Sequence, residues 1–231
     1  AASSDYTCGI FYPEEFRSDG SSVSHTEKSR AFCARNSDGQ MVLTTKEFKL
    51  RLKNPAIIGN KLYLFAEAAF NRPELFSYEL DKVKVKKDVK STLVDSAVYD
   101  IQAPATGNDK YVCYNSAQNV LQCLTEAGAL PAISVSDKIV AGELSGEELP
   151  YAQRASGKWF VHIKNLRTGV TTTIVSQLDY APSAIVSSDK YVCFSNSNTK
   201  EYICTGRQDH VQLTISTPPN VYLGNFPAID G

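Results

Sequence analysis

The sequence predicts an all-β protein, a small five-bladed β-propeller stapled by disulfides. The main evidence is an internal repeat, because residues 109–115 (DKYVCYN) and 189–195 (DKYVCFS) are nearly the same peptide. Each copy continues through a polar turn into a second apolar run that ends in a cysteine, Cys123 or Cys204. Two alternating runs around a polar turn are typical of a β-hairpin. A repeated hairpin indicates an array of blades.

Three more hairpins keep this pattern without the second cysteine. Their first strands start at Ser29, Lys61 and Lys158, and their second strands cover residues 40–44, 74–80 and 170–175. An Asp-Gly turn separates the first of these pairs, which is a strong hairpin signal. Five hairpins give roughly 46 residues per blade, within the range of four-stranded blades. Extra apolar stretches at 83–89 and 132–144 leave room for a degenerate sixth blade around residues 131–140.

A short strand of small residues precedes four of the hairpins. These strands cover residues 54–58, 102–105, 153–156 and 182–186. A fifth copy, residues 225–229, has no hairpin after it, whereas the first hairpin has no such strand before it. Both absences are explained if the N- and C-terminal strands together close one propeller domain over residues 1–231. A β-sandwich with Greek-key loops is the competing fold, but it does not explain the split repeat.

Six cysteines predict three disulfides and an oxidising compartment. The expected pairs are Cys8–Cys33, Cys113–Cys123 and Cys193–Cys204. The thiolate spacing of zinc sites does not occur. We therefore expect a secreted, extracellular protein with structural cysteines and without a metal site.

Composition excludes several partner classes. A net charge of −1 gives no field that favours nucleic acid, and the sequence lacks an apolar run long enough to insert in a membrane. Glycine-rich phosphate loops, HExxH and EF-hand loops are also missing, so we expect no cofactor. Residues 81–90 alternate lysine with valine and predict an outer edge strand protected from pairing. A patch for an anionic partner such as a sulfated glycan is the alternative interpretation.

The connectors that lead into the short strands repeat a tyrosine followed by an amide or a proline. Aromatic faces combined with amide and guanidinium groups suit sugar ligands. The predicted ligand-binding residues are Tyr99, Gln102, Tyr151, Gln153, Arg154, Tyr180, Tyr222 and Asn225. The alternative is that the tyrosines pack between blades and the side-chain amides form hydrogen bonds with backbone groups of the turns. Trp159 is expected to pack in the core, and His162 on the same strand is expected to be a strand residue rather than a catalytic base.

The hairpin of residues 30–43 (RAFCARNSDGQMVL) resembles a blade of the fungal fucose-binding lectin propellers. It has their order of arginine, apolar and aromatic residues, a polar Asp-Gly turn and a second strand. The resemblance implies a secreted, fungal, lectin-type propeller. In that family the first arginine, an acidic residue and a tryptophan bind fucose. Arg30 matches the arginine, lysine replaces it in the other blades, and Trp159 is the only tryptophan.

Three functions follow from these patterns. The favoured one is a secreted, non-catalytic carbohydrate-binding module whose partner is a glycan. The second is a secreted effector or inhibitor that binds an extracellular protein. The third is a small glycoside hydrolase, which needs two carboxyl groups flanking the scissile bond. Its candidate residues are Asp100, Asp179, Glu147 and Glu148.

Overall fold

The fold was analysed in a computed structural model. It describes residues 1–16, 22–24, 28–47, 51–67, 73–80, 86–89, 92–95, 106–196, 198–199 and 201–216. Within these ranges, no helix combines the length and apolar character needed to cross a membrane.

The described strands number 23 and are short. In chain order they are β1 (Tyr6–Phe11), β2 (Glu14–Phe16), β3 (Ser22–Ser24), β4 (Arg30–Arg35), β5 (Met41–Thr45), β6 (Arg51–Ile58), β7 (Lys61–Glu67), β8 (Pro73–Glu79), β9 (Lys86–Val89), β10 (Thr92–Asp95), β11 (Thr106–Gly107), β12 (Val112–Ala117), β13 (Val120–Thr125), β14 (Gly128–Ala129), β15 (Ile133–Ser134), β16 (Lys138–Ala141), β17 (Glu148–Ala155), β18 (Lys158–Asn165), β19 (Thr171–Leu178), β20 (Pro182–Ser187), β21 (Tyr191–Asn196), β22 (Glu201–Gly206) and β23 (Gln212–Ser216).

These strands form five sheets of four or five strands and one two-stranded sheet, β2-β3. The strand orders are β1-β4-β5-β9, β10-β8-β7-β6, β11-β12-β13-β14 with β15 on β13, β16-β17-β18-β19, and β20-β21-β22-β23. We refer to them as the first to fifth sheets. The five predicted hairpins are confirmed as the pairs β4–β5, β7–β8, β12–β13, β18–β19 and β21–β22, one in each sheet.

Three of the predicted short strands are also confirmed. Residues 54–58 lie in β6, 153–155 in β17 and 182–186 in β20, and each strand pairs with the first strand of the hairpin that follows it. Residues 102–105 and 225–229 lie outside the described residues. Closure of the propeller by the C-terminal strand therefore stays a prediction, as does a single domain over the whole chain.

The structure corrects two details of strand assignment. The first hairpin does have a strand before it, because β1 pairs with β4 from Tyr6–Arg35 to Phe11–Arg30. Residues 131–140 do not form a sixth blade, because β15 pairs with β13 and β16 pairs with β17. Within the lysine-rich stretch, residues 86–89 form an edge strand as predicted, since β9 ends the first sheet and runs parallel to β5.

The contacts of the described residues fall into two compact units. One contains residues 1–112 and 123–130, and the other contains residues 113–122 and 131–231. The core of the first unit includes Tyr6, Leu43, Leu52, Leu62 and Leu64, all fully buried. Alternation along its strands directs these apolar side chains inward.

The core of the second unit is built largely from the fourth and fifth sheets. Trp159, Val161 and Ile163 alternate along β18 and are buried with Phe194 and Ile203. Trp159 is 6% exposed, which confirms that it is a packing residue.

All three predicted disulfides are confirmed. Cys8–Cys33 and Cys193–Cys204 each join directly opposed residues of two neighbouring antiparallel strands. Cys113 and Cys123 are also disulfide-bonded, and no cysteine is free.

Candidate ligand-binding site

Four of the eight predicted ligand-binding residues can be located. Tyr151, Gln153 and Arg154 lie on β17, and Tyr180 lies in the turn before β20. Tyr99, Gln102, Tyr222 and Asn225 lie outside the described residues. Ligand binding by the full set stays a prediction.

The located residues have different environments. Tyr151 is 4% exposed and its ring centroid lies 5.0 Å from that of His162, so burial raises the pKa of its phenol. Tyr180 is partly buried against the core of the second unit. Burial is the main cause that raises the pKa of its phenol, and the negative charge of Glu201 raises it further. Strand alternation directs Arg154 to the face opposite Tyr151, where its Nε lies 3.6 Å from Asp137 Oδ2. Tyr151 therefore presents no open aromatic face.

Each described carboxylate of the glycoside hydrolase hypothesis forms an ion pair with a lysine or arginine side chain. Asp179 pairs with Lys158, and Glu147 pairs with Arg167 at 2.9 Å. Glu148 accepts two hydrogen bonds from the guanidinium of Arg207, both of 2.8 Å. Asp100 lies outside the described residues. Each of the three located carboxylates thus has an ion-pairing partner in the second unit.

A polar cleft of about 440 Å³ lies in the second unit, and the sequence did not indicate it. We call it the hydroxyl cleft. Its lining residues are Thr173, Ile174, Val175 and Ser176 of β19, Thr205 of β22, His210 of the β22–β23 turn, and Gln212 of β23. The side chains of Thr173, Ser176, His210 and Gln212 are exposed, while Ile174 and Thr205 are buried.

An irregular strand forms one wall of the hydroxyl cleft. Trp159 pairs with Leu178 and Val161 with Val175, so β19 contains one more residue than β18 over this interval. The irregularity includes Gln177, whose φ of 64° lies in the left-handed region. Such bulges turn side chains away from the regular alternation of a strand. This geometry places Ser176 on the wall of the cleft.

A tight turn forms the opposite wall. The amide of His210 donates to Gly206 O at 3.2 Å, and the amide of Val211 donates to Asp209 Oδ1 at 3.0 Å. A Cβ added at Gly206 would lie 1.9 Å from Asp209 Oδ1, so a larger residue there would displace the Asp209 side chain from its present position. His210 adopts a φ of 56°, a conformation that costs free energy in a non-glycine residue and is enriched at functional sites.

A row of paired side chains connects the predicted site to the hydroxyl cleft. Tyr151 on β17 lies opposite His162 on β18, and His162 lies opposite Thr173 on β19. His162 is 6% exposed, and burial lowers the pKa of its imidazole. Its Nδ1 lies 3.0 Å from Thr173 Oγ1, while its buried Nε2 has no hydrogen-bond partner among the described residues. Thr173 therefore contacts both a buried imidazole and the cleft.

The chemistry of the lining favours an uncharged polar ligand. Hydroxyl, amide and imidazole groups each donate and accept hydrogen bonds, and the described lining residues include no lysine, arginine, aspartate or glutamate. The volume lies within the usual range of small-molecule sites, about 300–1,000 Å³. In the described part of the chain, no group of three or more His, Cys, Asp or Glu side chains is placed to bind a metal.

Comparison with known proteins adds information about the fold. No family model and no curated protein matches the chain. Among solved structures it is similar to a protein described as TolB from Agrobacterium tumefaciens, at 13% identity and a TM-score of 0.51, covering 94% of this chain and 72% of that one. It is also similar to the β-propeller domain of Myceliophteria thermophila Cps50 (Swd1), at 12% identity and a TM-score of 0.50, covering 89% and 73%.

A third similar structure is TolB from Acinetobacter baumannii, at 15% identity and a TM-score of 0.46. The match covers 82% of this chain and 49% of that one, so the chain spans about half the length of this relative. The strand pattern, together with the likeness to the Cps50 propeller domain, defines the class of protein. The chain is an all-β protein with a β-propeller fold and three disulfides.

Proposed function

We propose that the chain is a secreted, non-catalytic, lectin-type propeller that binds an uncharged glycan in the hydroxyl cleft. The observation that carries this proposal is the composition of the cleft, where exposed Thr173, Ser176, His210 and Gln212 surround a volume of about 440 Å³. Disulfides are typical of proteins from oxidising compartments, which supports secretion. The resemblance of residues 30–43 to fungal fucose-binding lectin blades supports a lectin of fungal type.

Sugar hydroxyls match this lining because each can donate and accept at the same time. The hydroxyls of Thr173 and Ser176 and the amide of Gln212 have the same dual capacity, so several hydrogen-bonding patterns can be satisfied. The exposed imidazole of His210 offers a flat surface for the C–H face of a sugar. A charged ligand would find no counter-ion in the lining.

A glycan array with the oxidised protein tests the proposal. We expect selective binding that the double variant Ser176→Ala/Gln212→Ala loses. Thr172→Ala is the matched control, because Thr172 is exposed on the same strand but does not line the hydroxyl cleft. A second variant, Tyr180→Ala, tests the connector site. Loss of binding in Tyr180→Ala alone would move the site to the connectors, and a blank array with folded protein would overturn the lectin proposal.

One observation favours a second candidate function, a module that binds an extracellular protein. β23 ends the fifth sheet, and the apolar side chains of Val211, Leu213 and Ile215 on and beside it are 54%, 51% and 54% exposed. Alternating apolar side chains on an edge strand suit pairing with an extended segment of a partner. A blank glycan array together with a specific pull-down that Leu213→Lys abolishes would favour this function.

A further inference from the structure

We propose that His162 is a positioning residue for the hydroxyl cleft. Its Nδ1–H donates to Thr173 Oγ1, and this donation leaves the Thr173 hydroxyl hydrogen directed into the cleft toward an acceptor oxygen of the ligand. The role in ligand binding rests on the proposed function. The assignment of the proton rests on the geometry of the buried imidazole alone.

The groups around the imidazole of His162 limit the hydrogen bonds that it can form. Its ring lies 5.0 Å from the ring of Tyr151 and 6.4 Å from that of Phe160, measured between centroids. Tyr151 is the titratable group facing it from β17, and burial keeps that phenol neutral by raising its pKa. In the part of the chain that the structure describes, Thr173 on β19 is the hydrogen-bond partner of the ring, with its Oγ1 3.0 Å from Nδ1. His162 does not itself line the cleft, so it acts through Thr173.

The unpaired Nε2 decides between the two neutral tautomers. A proton on Nε2 would leave a buried N–H donor without an acceptor, whereas a proton on Nδ1 leaves only an unused lone pair. Buried N–H groups without partners are rarer in proteins than acceptors with unused capacity. The Nδ1–H tautomer is therefore the more stable one, and it makes Thr173 Oγ1 the acceptor.

This assignment has a consequence for ligand chemistry. When the Thr173 hydroxyl accepts a hydrogen bond from His162, its own hydrogen stays available for another partner. Thr173 is exposed and lines the hydroxyl cleft, so this partner can be a ligand. The cleft thus presents a donor at this point. The ligand oxygen that faces Thr173 only has to accept a hydrogen bond. Methylation of that sugar hydroxyl would therefore retain the hydrogen bond, whereas its removal in a deoxy sugar would lose it.

NMR tests the tautomer without any ligand. Long-range ¹H–¹⁵N correlation of the wild-type protein at pH 7.5 reports which ring nitrogen of His162 carries the proton, with His162→Asn used to assign the signals. We expect a protonated Nδ1 and a bare Nε2. A protonated Nε2 would overturn the assignment, whether or not any glycan binds.

Binding measurements test the role in the cleft. The probes are methyl glycosides of fucose, galactose, mannose and N-acetylglucosamine, with deoxy and O-methyl derivatives of whichever binds. His162→Asn keeps a donor near the Nδ1 position, so we expect its affinity to stay within about twofold of wild type. His162→Leu loses the donor and should weaken binding about fivefold, the equivalent of one neutral hydrogen bond.

Thr173→Val should weaken binding as much as His162→Leu, and the double variant should lose little more. Circular dichroism verifies that each variant is folded. Equal weakening by His162→Asn and His162→Leu, or unchanged binding in Thr173→Val, would overturn the positioning role. If no probe binds the wild type, the proposed function fails, and the NMR result still decides the assignment of the proton.

Discussion

Burial of the His162 side chain connects the stability of the protein to pH. Its folded-state pKa is lowered by burial, whereas in the unfolded chain it lies near the ordinary value of about 6.5. The unfolded state therefore binds the proton more readily. This contribution to stability is complete above about pH 6.5 and is lost as pH falls toward the folded-state pKa. We expect urea unfolding at decreasing pH to show a steeper loss of stability in the wild type than in His162→Asn.

His210→Asn provides the matched control, because it makes the same substitution at an exposed position of the same unit. The variant His210→Asn should leave the acid-induced loss of stability as steep as in the wild type. The same pH dependence in wild type and His162→Asn would show that His162 is not the group responsible.

The ion pair of Arg207 with Glu148 should contribute more to stability than the other surface pairs. Nη1 and Nη2 of Arg207 each donate to the carboxylate at 2.8 Å, and Nη1 also donates to Ser188 O at 2.9 Å. The two side chains are 22% and 28% exposed. A lysine cannot reproduce this fork, so Arg207→Lys should lower the free energy of unfolding by about 1–2 kcal/mol.

Arg167→Lys is the comparison, because Arg167 is 72% exposed in its pair with Glu147. Exposed pairs contribute about 0–1 kcal/mol, so this variant should be nearly neutral in urea unfolding. Equal losses in the two variants would contradict the special role of the Arg207 pair. Because Arg207 begins the turn that carries His210, Arg207→Lys should also weaken glycan binding if the proposed site is correct.

At the scale of strands, the repeat made most of the fold predictable. Each hairpin is local, and alternation plus turn residues specify it within a short stretch of chain. The copies at residues 109–115 and 189–195 then identified the same unit elsewhere, and all five hairpins are confirmed. The disulfides within hairpins were predictable for the same reason. A disulfide needs two Cβ atoms that face each other, and the strand pairing of a hairpin places its two cysteines in that position.

Strands and sites formed by non-local contacts were not predictable in this way. β1 has no similarity to the other short strands, so its strand pairing along β4 was not predicted, although the expected Cys8–Cys33 disulfide placed the two segments together. The hydroxyl cleft combines residues near 173 and 210 from two sheets, and none of them recurs along the sequence. Tyr151 followed the repeated pattern and proved to be buried, which is what repetition for packing produces.

The disulfides close loops of different length, so their removal should have unequal effects. Cys8 and Cys33 are 25 residues apart in sequence, whereas Cys193 and Cys204 are 11 apart. Loop entropy assigns these links about 3.5 and about 2.8 kcal/mol, respectively, through restriction of the unfolded chain. We expect Cys8→Ala/Cys33→Ala to lower the urea midpoint more than Cys193→Ala/Cys204→Ala. The opposite order would show that native-state packing, rather than loop length, determines the difference.

At the scale of the whole molecule, the effect of salt distinguishes binding of a neutral glycan from binding of a sulfated glycan. The chain carries 24 basic and 25 acidic residues, and the hydroxyl cleft has no charged side chain. Binding of a neutral glycan involves no ion pair, and salt screens only interactions between charges. A sulfated glycan bound by lysines of residues 81–90 would instead lose affinity steeply as salt increases.

We therefore expect the affinity for a neutral glycan to change by less than about twofold between 50 and 500 mM NaCl, a range over which the Debye length falls severalfold. Calorimetry with the glycan selected on the array measures this dependence, and heparin chromatography provides the anionic comparison. Retention on heparin at 150 mM NaCl, removed by replacing the lysines of residues 82–90, would assign binding to the edge strand. Salt-independent affinity that Ser176→Ala/Gln212→Ala abolishes would assign it to the hydroxyl cleft, because the described residues that line this cleft carry no charged group.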